Sequence, residues 1–443
     1  MPYWLGIDFG TSGARAIAIN AESTIVAQAQ YTLDAQQPTQ WQTALWALLE
    51  DIPPNIAANL AAIAINGTSS TVLFCDVQGM PLSAPLLYND DRGNEVLDAV
   101  RAIAPKQSVV GSATSSFAKL LWWEQTIRPT VAQPKAALIY LMHQADWLGF
   151  LLHGEIGISD YHNALKLGYD VGTLRYPDWI VDRSTRLPRS ASDQDASCVR
   201  ASNIVLPQVR VPGTAIAPLR PELAQRFGIA ETCQICAGTT DSIAAFLASG
   251  ARSPGDAVTS LGSTLALKLL SDVRVDDARY GLYSHRLGQS WLVGGASNTG
   301  GAVLRQFFEA EELERLSQQI DPQIPSSLSY YPLIRPGERF PINDPHLAPQ
   351  LEPRPKDPAE FLQGLLEGIA RIEASGYQRL QELGATPLRQ VYTAGGGAKN
   401  ATWIAMRSRC LGVPVYRSPQ TEAAYGTARL AQNGAIESIA LPH

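Results

Sequence analysis

The stretch LGIDFGTSGARAIAI, residues 5–19, sets a carboxylate, Asp8, at the end of an apolar run and follows it with Gly10, Thr11, Ser12 and Gly13. Isoleucine, valine and aromatic residues favour strands, so residues 3–7 and 14–19 read as two strands joined by a tight glycine turn. Glycine lets another group approach the backbone, and hydroxyls with N–H groups bind anionic oxygens. Asp8 beside such a cradle would repel a bare phosphate unless a divalent cation stood between them. The stretch is therefore either a Mg2+–nucleotide site or a plain hairpin.

At 443 residues the chain exceeds the usual size of one core, and two domains are expected. Hydrophobic residues make up 45% and charged residues 17%, the balance of a folded globular protein. The net charge of −6 and the lack of a long Lys/Arg run argue against nucleic acid as a partner. Five cysteines (Cys75, Cys198, Cys233, Cys236 and Cys410) are too few and scattered for a disulfide scaffold, which fits a reducing cytoplasm. Cys233 and Cys236 form a C-x-x-C, but no second metal-binding pair follows at zinc spacing, and CQICAG has the character of a buried strand. The apolar stretch 136–152 is interrupted by His143, Gln144 and Asp146, so it reads as a core helix and not as a membrane span. The first residues lead straight into a strand without a signal-peptide pattern, and a cytoplasmic location is expected. No oligomeric state follows from the sequence.

The first third alternates strands and helices: residues 63–65, then 71–75 around the turn NGTSS, then a helix near 94–103. Such alternation implies an α/β domain. Residues 154–210 are irregular and polar, and read as loops and short helices. A second glycine hairpin appears at AVTSLGSTLALKLL, residues 257–270, where Gly262, Ser263 and Thr264 take the place of Gly10, Thr11 and Ser12. This weak repeat suggests two related domains. Residues 359–383 carry amphipathic spacing and stop at Gly384. A strand, QVYTA, leads into Gly395, Gly396 and Gly397; Asn400 is placed to cap a helix over 401–411 that ends at Gly412. VPVYR reads as another strand, and Thr421 as the cap of a last helix through Leu430. A strand, three glycines and a helix suit a nucleotide platform, although a triple glycine alone is often only a tight turn.

The common nucleotide fingerprints are absent: neither G-x-x-x-x-G-K-[ST] nor G-x-G-x-x-G after a strand occurs. DFG at residues 8–10 lacks the other protein-kinase motifs. The two hydroxyl-glycine hairpins and the third glycine turn match the actin, hexokinase and heat-shock-70 class of ATPases. At particular residues the chain resembles the FGGY carbohydrate kinases: LGIDFGTSGAR their first phosphate loop, LGST their second, and AGGGAKNATWIAMRSRCLGVPV their adenosine segment, which a family-like EAAYGTARLA follows. AGTTDSIAAF, residues 237–246, resembles the segment with the catalytic aspartate, here Asp241; PLLYNDDR and SDYHNALKLGYD resemble sugar-side segments. Within the family, AINGTSSTVLFCD, SDYHNALKLGY and ICAGTTDSIAAFLASGA are most similar to the D-ribulose kinases of cyanobacteria and plants. Asn66, Gly67, Thr68 and Ser69 stand where D-xylulose kinases have Gln-Met-His-Gly.

The resemblance implies an α/β fold of two ribonuclease H-like, actin-like ATPase domains with a central cleft. It places the sugar-binding domain at 1–248, completed by a C-terminal helix at 421–440, and the nucleotide-binding domain at 249–420. It implies a kinase with ATP and Mg2+ as cofactors and a pentulose as substrate; from charge and hydropathy neither nucleic acid nor membrane is expected as partner. Asp241 would be the base that takes the proton of the attacking hydroxyl, with helix capping as its alternative. Asp8 would hold Mg2+ and face the substrate, with Thr11 and Gly13 against the transferring phosphate; Gly10 and Ser12 complete that loop. Gly262, Ser263 and Thr264 would hold the other phosphates. Gly396, Gly397, Asn400 and Trp403 fall on the adenine side, although a tryptophan on an amphipathic helix is commonly core. Ser69 and Asp91 are the sugar-side candidates; pairing with Arg92 is the alternative for Asp91, and His162 reads as a structural histidine. D-Ribulose is the expected acceptor. D-Xylulose or another polyol, or a nucleotide switch without sugar kinase activity, are the alternatives.

Overall fold

The computed structural model describes residues 1–132, 137–181 and 203–434. The chain divides into two compact units, one built from Met1–Ala248 with the described residues 422–434, the other from Ser249–Thr421. Cys198 and residues 435–440 lie outside the described residues.

The first unit is organised by a sheet whose described strands run in the order Ala215–Pro218, Gln234–Cys236, Leu60–Gly67, Tyr3–Phe9, Gly13–Ile19 and Ile25–Thr32. The short strand Thr239–Thr240 pairs with the end of Leu60–Gly67. Tyr3–Phe9 is antiparallel to Gly13–Ile19 and parallel to Leu60–Gly67, so the opening stretch is a hairpin with a parallel neighbour. Its alternate side chains Leu5, Ile7 and Phe9 are fully buried, and they share a core with Trp41, Leu45 and Leu48 of the helix Pro38–Glu50. That helix buries residues 41, 44, 45, 48 and 49, the three-and-four spacing of an amphipathic stripe.

The opposite face is covered by Ala423–Asn433 and Asp241–Ala248. Contact there is backbone on backbone. A Cβ on Gly6 would stand 2.1 Å from Ala424 O and from Ala428 N, and one on Gly426 would stand 1.9 Å from Ala244 O. No side chain fits at either place.

The second unit repeats the scheme. Its described strands run His285–Leu287, Ser290–Ser297, Leu265–Ser271, Asp256–Leu261, Gln390–Ala394, Val415–Arg417. Asp256–Leu261 again forms an antiparallel hairpin with the following strand and a parallel pair with a later one, Gln390–Ala394. The helix Pro358–Glu382, capped by Asp357 Oδ1 accepting from Ala359 N at 3.0 Å, covers one face with Phe361, Leu362, Leu365, Leu366, Ile369 and Ile372.

Inside this apolar layer sits a charged group. Arg407 and Glu373 are both fully buried; Arg407 donates through Nε and Nη2 to the two carboxylate oxygens at 2.6 Å each. Its Nη1 donates to Thr393 Oγ1 at 2.7 Å, and Thr259 Oγ1 donates to Glu373 Oε1 at 2.5 Å. Thr259 and Thr393 are register partners on the two parallel strands, so the pair joins two helices to both strands.

Two expectations are corrected and one is refined. Residues 136–152 are not one helix: Ile139–His143 is a strand paired with Val72–Cys75, and Gln144–His153 is the helix. An apolar run does not separate buried strand from buried helix, and two of the polar residues inside it form the helix cap: Asp146 Oδ2 accepts from His143 N at 2.9 Å. The helix expected near 94–103 is present, as the 3-10 turn Arg92–Val96 continued by the α-helix Leu97–Ile103. The last helix starts after Glu422 and not at Thr421, and Glu422 pairs with Arg15 instead of capping it.

Breaking the buried pair from one side is expected to be severe. Arg407→Met leaves Glu373 charged and buried, and should cost about 3–5 kcal/mol in urea unfolding, whereas the double replacement with Glu373→Met should recover most of that loss.

Candidate functional site

In the first unit the site grows from strand register. Asp8 and Asn66 are partners on the parallel strands, and Asn66 is also partner to Thr239, two residues before Asp241. The ends of three parallel strands therefore bring Asp8, Asn66 and Asp241 together. Asn66 Nδ2 donates to Thr427 Oγ1 at 2.6 Å, which ties this edge to the last helix. Asp241 is the first residue of the helix Asp241–Ala248, and its Oδ1 accepts from Ser242 N at 2.6 Å.

Asp8 is held in an unfavourable setting. Its Oδ1 is enclosed and has no hydrogen-bond partner, as is true of Asn66 Oδ1 and Thr240 Oγ1 beside it. Burial pushes the Asp8 carboxyl up to about 7, and the negative charge of Asp241 adds to this, while Arg15 and the Asn66 amide work against it. An orphaned carboxylate oxygen with a second carboxylate near it fits a divalent cation, which needs few protein ligands when it keeps water and binds phosphate.

The hairpin tip beside Asp8 is exposed at Thr11 and Ser12. Gly10 N donates to Gly13 O at 3.0 Å, and Leu33 N to Ser12 O at 3.1 Å. Gln36, unnoticed in the sequence, fixes the tip: its Nε2 donates to Thr11 O at 2.7 Å while its Oε1 accepts from Trp41 Nε1 at 3.1 Å.

The second unit carries its own glycine surface. Gly301 N donates to Gly262 O at 2.9 Å and Ala302 N to Ser263 O at 3.2 Å, while Gly262 N donates to Thr264 O at 3.2 Å. Arg305 Nη2 donates to Ser263 Oγ at 3.0 Å and places an exposed cation at this hairpin. The third glycine turn lies against the same hairpin. Gly395 has φ +84°, and a Cβ there would stand 2.6 Å from Leu261 O; Gly396 faces open space.

Two adenine-side candidates turn inward. Trp403 is 2% exposed, donates through Nε1 to Leu366 O at 3.0 Å and lies under Gly397, so it is core and not a stacking surface. Asn400 spends both ends of its amide: Oδ1 accepts from Trp403 N at 2.9 Å and Nδ2 donates to Ser317 Oγ at 2.8 Å. It caps the helix Ala401–Leu411.

On the sugar side Ser69 is half-buried and Asp91 exposed. Arg92 pairs with Asp90, not with Asp91. His162 is buried against Thr239, Nδ1 to Oγ1 at 2.8 Å, as a structural histidine is. Cys233 and Cys236 are buried free thiols that burial pushes up to about 12, which leaves little thiolate. Among the described residues no helix is long and apolar enough to cross a membrane.

Two α/β units, each with a hydroxyl-glycine hairpin beside a parallel strand, define a two-domain kinase fold of the actin-like ATPase type. The chain belongs to the FGGY family of carbohydrate kinases: it matches the family's N-terminal domain over residues 3–248 and its C-terminal domain over 217–434. It is therefore an ATP-dependent sugar kinase. The xylulose kinase of Bacillus subtilis (strain 168) is 24% identical, over 98% of this chain and 88% of that protein. A gluconokinase of Bacillus licheniformis is 22% identical, over 91% and 82%. The solved xylulose kinase from Rhodospirillum rubrum superposes with a TM-score of 0.80 at 19% identity, over 99% of this chain and 92% of that one.

The raised Asp8 pKa has a measurable sign. A carboxyl whose folded-state value lies above its ordinary 3.8 is costlier to ionise in the folded protein, so its stability penalty grows from about pH 4 to about pH 7 and then levels. In chelator and without nucleotide, Asp8→Asn should unfold at a higher temperature than the parent. The gap should widen across that window; a gap independent of pH would show that Asp8 is not so buried.

Proposed function

We propose that the chain transfers the γ-phosphoryl group of ATP to the primary hydroxyl of an open-chain ketopentose, O5 of D-ribulose. The observation that carries the reaction is the enclosed, unpartnered Oδ1 of Asp8 beside Asp241 at the ends of three parallel strands. The choice of sugar is supported by Asn66, Gly67, Thr68 and Ser69, which replace the Gln-Met-His-Gly of D-xylulose kinases, and by the resemblance of this region to D-ribulose kinases.

Phosphoryl transfer asks for positioning, charge stabilisation and a group that accepts the proton of the attacking hydroxyl. Asp241 takes that proton. Asp8 holds Mg2+, which when bound neutralises phosphate charge. Gly10, Thr11, Ser12 and Gly13 offer backbone and hydroxyl donors to the phosphate in transfer, in a loop that Gln36 keeps in shape. Gly262, Ser263 and Thr264, with the Arg305 guanidinium on Ser263, hold the remaining phosphates, since a cation and N–H donors favour anionic oxygens. The open face at Gly396 with Gly397 receives the adenosine. Ser69 and Asp91 contribute to the sugar side.

The test is ADP release with Mg-ATP against D-ribulose, L-ribulose, D-xylulose, gluconate, glycerol and no sugar. D-Ribulose should stimulate most; preference for D-xylulose, the substrate in the names of several relatives, would overturn the choice of sugar. Loss of a positioned base costs about 10²- to 10⁴-fold, so Asp241→Ala should lose turnover by that order while still binding ATP. Near-normal turnover would remove Asp241 from its role. Asp8→Ala should lose the dependence of rate on Mg2+ concentration.

A further inference from the structure

Lys119 stands in the helix Ser116–Thr126 among Phe117, Ala118 and Leu120, and is itself 1% exposed. Lysine is among the residues least often fully buried, because its ammonium group must be desolvated. Burial accordingly pushes it down to about 7; Lys166 and Arg92 act in the same direction, and Asp90 opposes them.

The amine donates to two backbone carbonyls far apart in sequence, Ser70 O at 2.8 Å and Leu87 O at 2.5 Å. Ser70 has φ +65°, a left-handed conformation that a residue other than glycine adopts at a cost. It lies in the turn that follows Asn66 and Gly67, and Leu87 opens the loop that leads to Asp91. A second tie holds the turn from the other side: Thr68 N donates to Gln144 Oε1 at 3.0 Å, and Gln144 N donates to Thr71 O at 3.0 Å. So fixed, the turn encloses two polar atoms without hydrogen-bond partners, Ser70 Oγ and Gln144 Nε2. Unmade hydrogen bonds at a buried, doubly braced turn call for a partner, which a bound water or a ligand hydroxyl supplies.

We propose that Lys119 is a positioning residue for the sugar acceptor: its amine fixes the turn 68–71 against the loop 87–91, so that Ser70 Oγ is presented to an acceptor hydroxyl. This rests on the sugar-side reading of these two segments. It does not depend on which sugar is the substrate.

The test uses whichever acceptor in the panel the parent enzyme phosphorylates best. Lys119→Met keeps the length of the side chain and removes its donors. It should raise the sugar KM at least about tenfold and leave the ATP KM within about twofold, a change of the size expected for lost hydrogen bonds to a charged group. An unchanged sugar KM, or equal increases for sugar and ATP, overturns the proposal. If Lys119→Met does not fold, Ser70→Ala decides. It keeps the carbonyl that Lys119 binds and removes only the unpartnered hydroxyl, so it should melt no lower than the parent while the sugar KM rises about fivefold or more. Ser70→Ala with the parent's sugar KM overturns the proposal. A parent whose best acceptor is not a ketopentose overturns the D-ribulose reading, while the ratio of sugar to ATP KM still decides on Lys119. A parent indifferent to every sugar overturns both.

Discussion

A carboxylate with one enclosed, unpaired oxygen has to be kept in place by something stronger than its own contacts. For Asp8 that is strand pairing. Seven register pairs join Tyr3–Phe9 to Leu60–Gly67, and two more join the latter to Thr239–Thr240. Sliding Tyr3–Phe9 by one residue would turn Leu5, Ile7 and Phe9 out of the core, and sliding Leu60–Gly67 would do the same to Ile63 and Ile65, so the position of Asp8 relative to Asn66 is set by apolar burial. The electrostatic cost of the site is carried by the core below it.

The second unit solves a different problem with a similar device. Its glycine turn at residues 395–397 is bare backbone, which has no side chains of its own to hold it in shape. Rigidity comes from beneath, through the bidentate Glu373–Arg407 pair and the two threonines that bond to it, and through Trp403 under Gly397. A buried ion pair is weak evidence for stability but restricts alternatives, since every other packing would leave a charge unpaired.

Features with local causes were legible in the sequence. Both hairpins, the helix of residues 358–382, the Asn400 cap and the stop at Gly412 each follow from a few neighbouring residues. The roles proposed for Asp8 and Asp241 came only from resemblance to a family, because neither residue alone distinguishes a site from a turn or a cap. Long-range relations were not legible. Gln36 reaches back 25 residues to Thr11, Lys119 reaches 49 residues to Ser70, and Arg305 reaches 42 residues to Ser263. Nothing in the local pattern marks these three as different from surface residues. The one long apolar run was ambiguous for the opposite reason: at residues 136–152 strand and helix present the same hydrophobicity, and only pairing with Val72–Cys75 decides between them.

The close approach of Gly6 and Gly426 to facing backbone has a consequence for the order of events during synthesis. The helix Ala423–Asn433 covers the first strand and supplies the hydroxyl that holds Asn66, yet it leaves the ribosome after the whole second unit. Until then the sheet of the first unit has one apolar face open to solvent while residues 249–421 have all they need to fold. The unit begun first is thus finished last, and a chain ending before residue 423 would leave the sheet of the first unit uncovered, the kind of surface on which chaperones act.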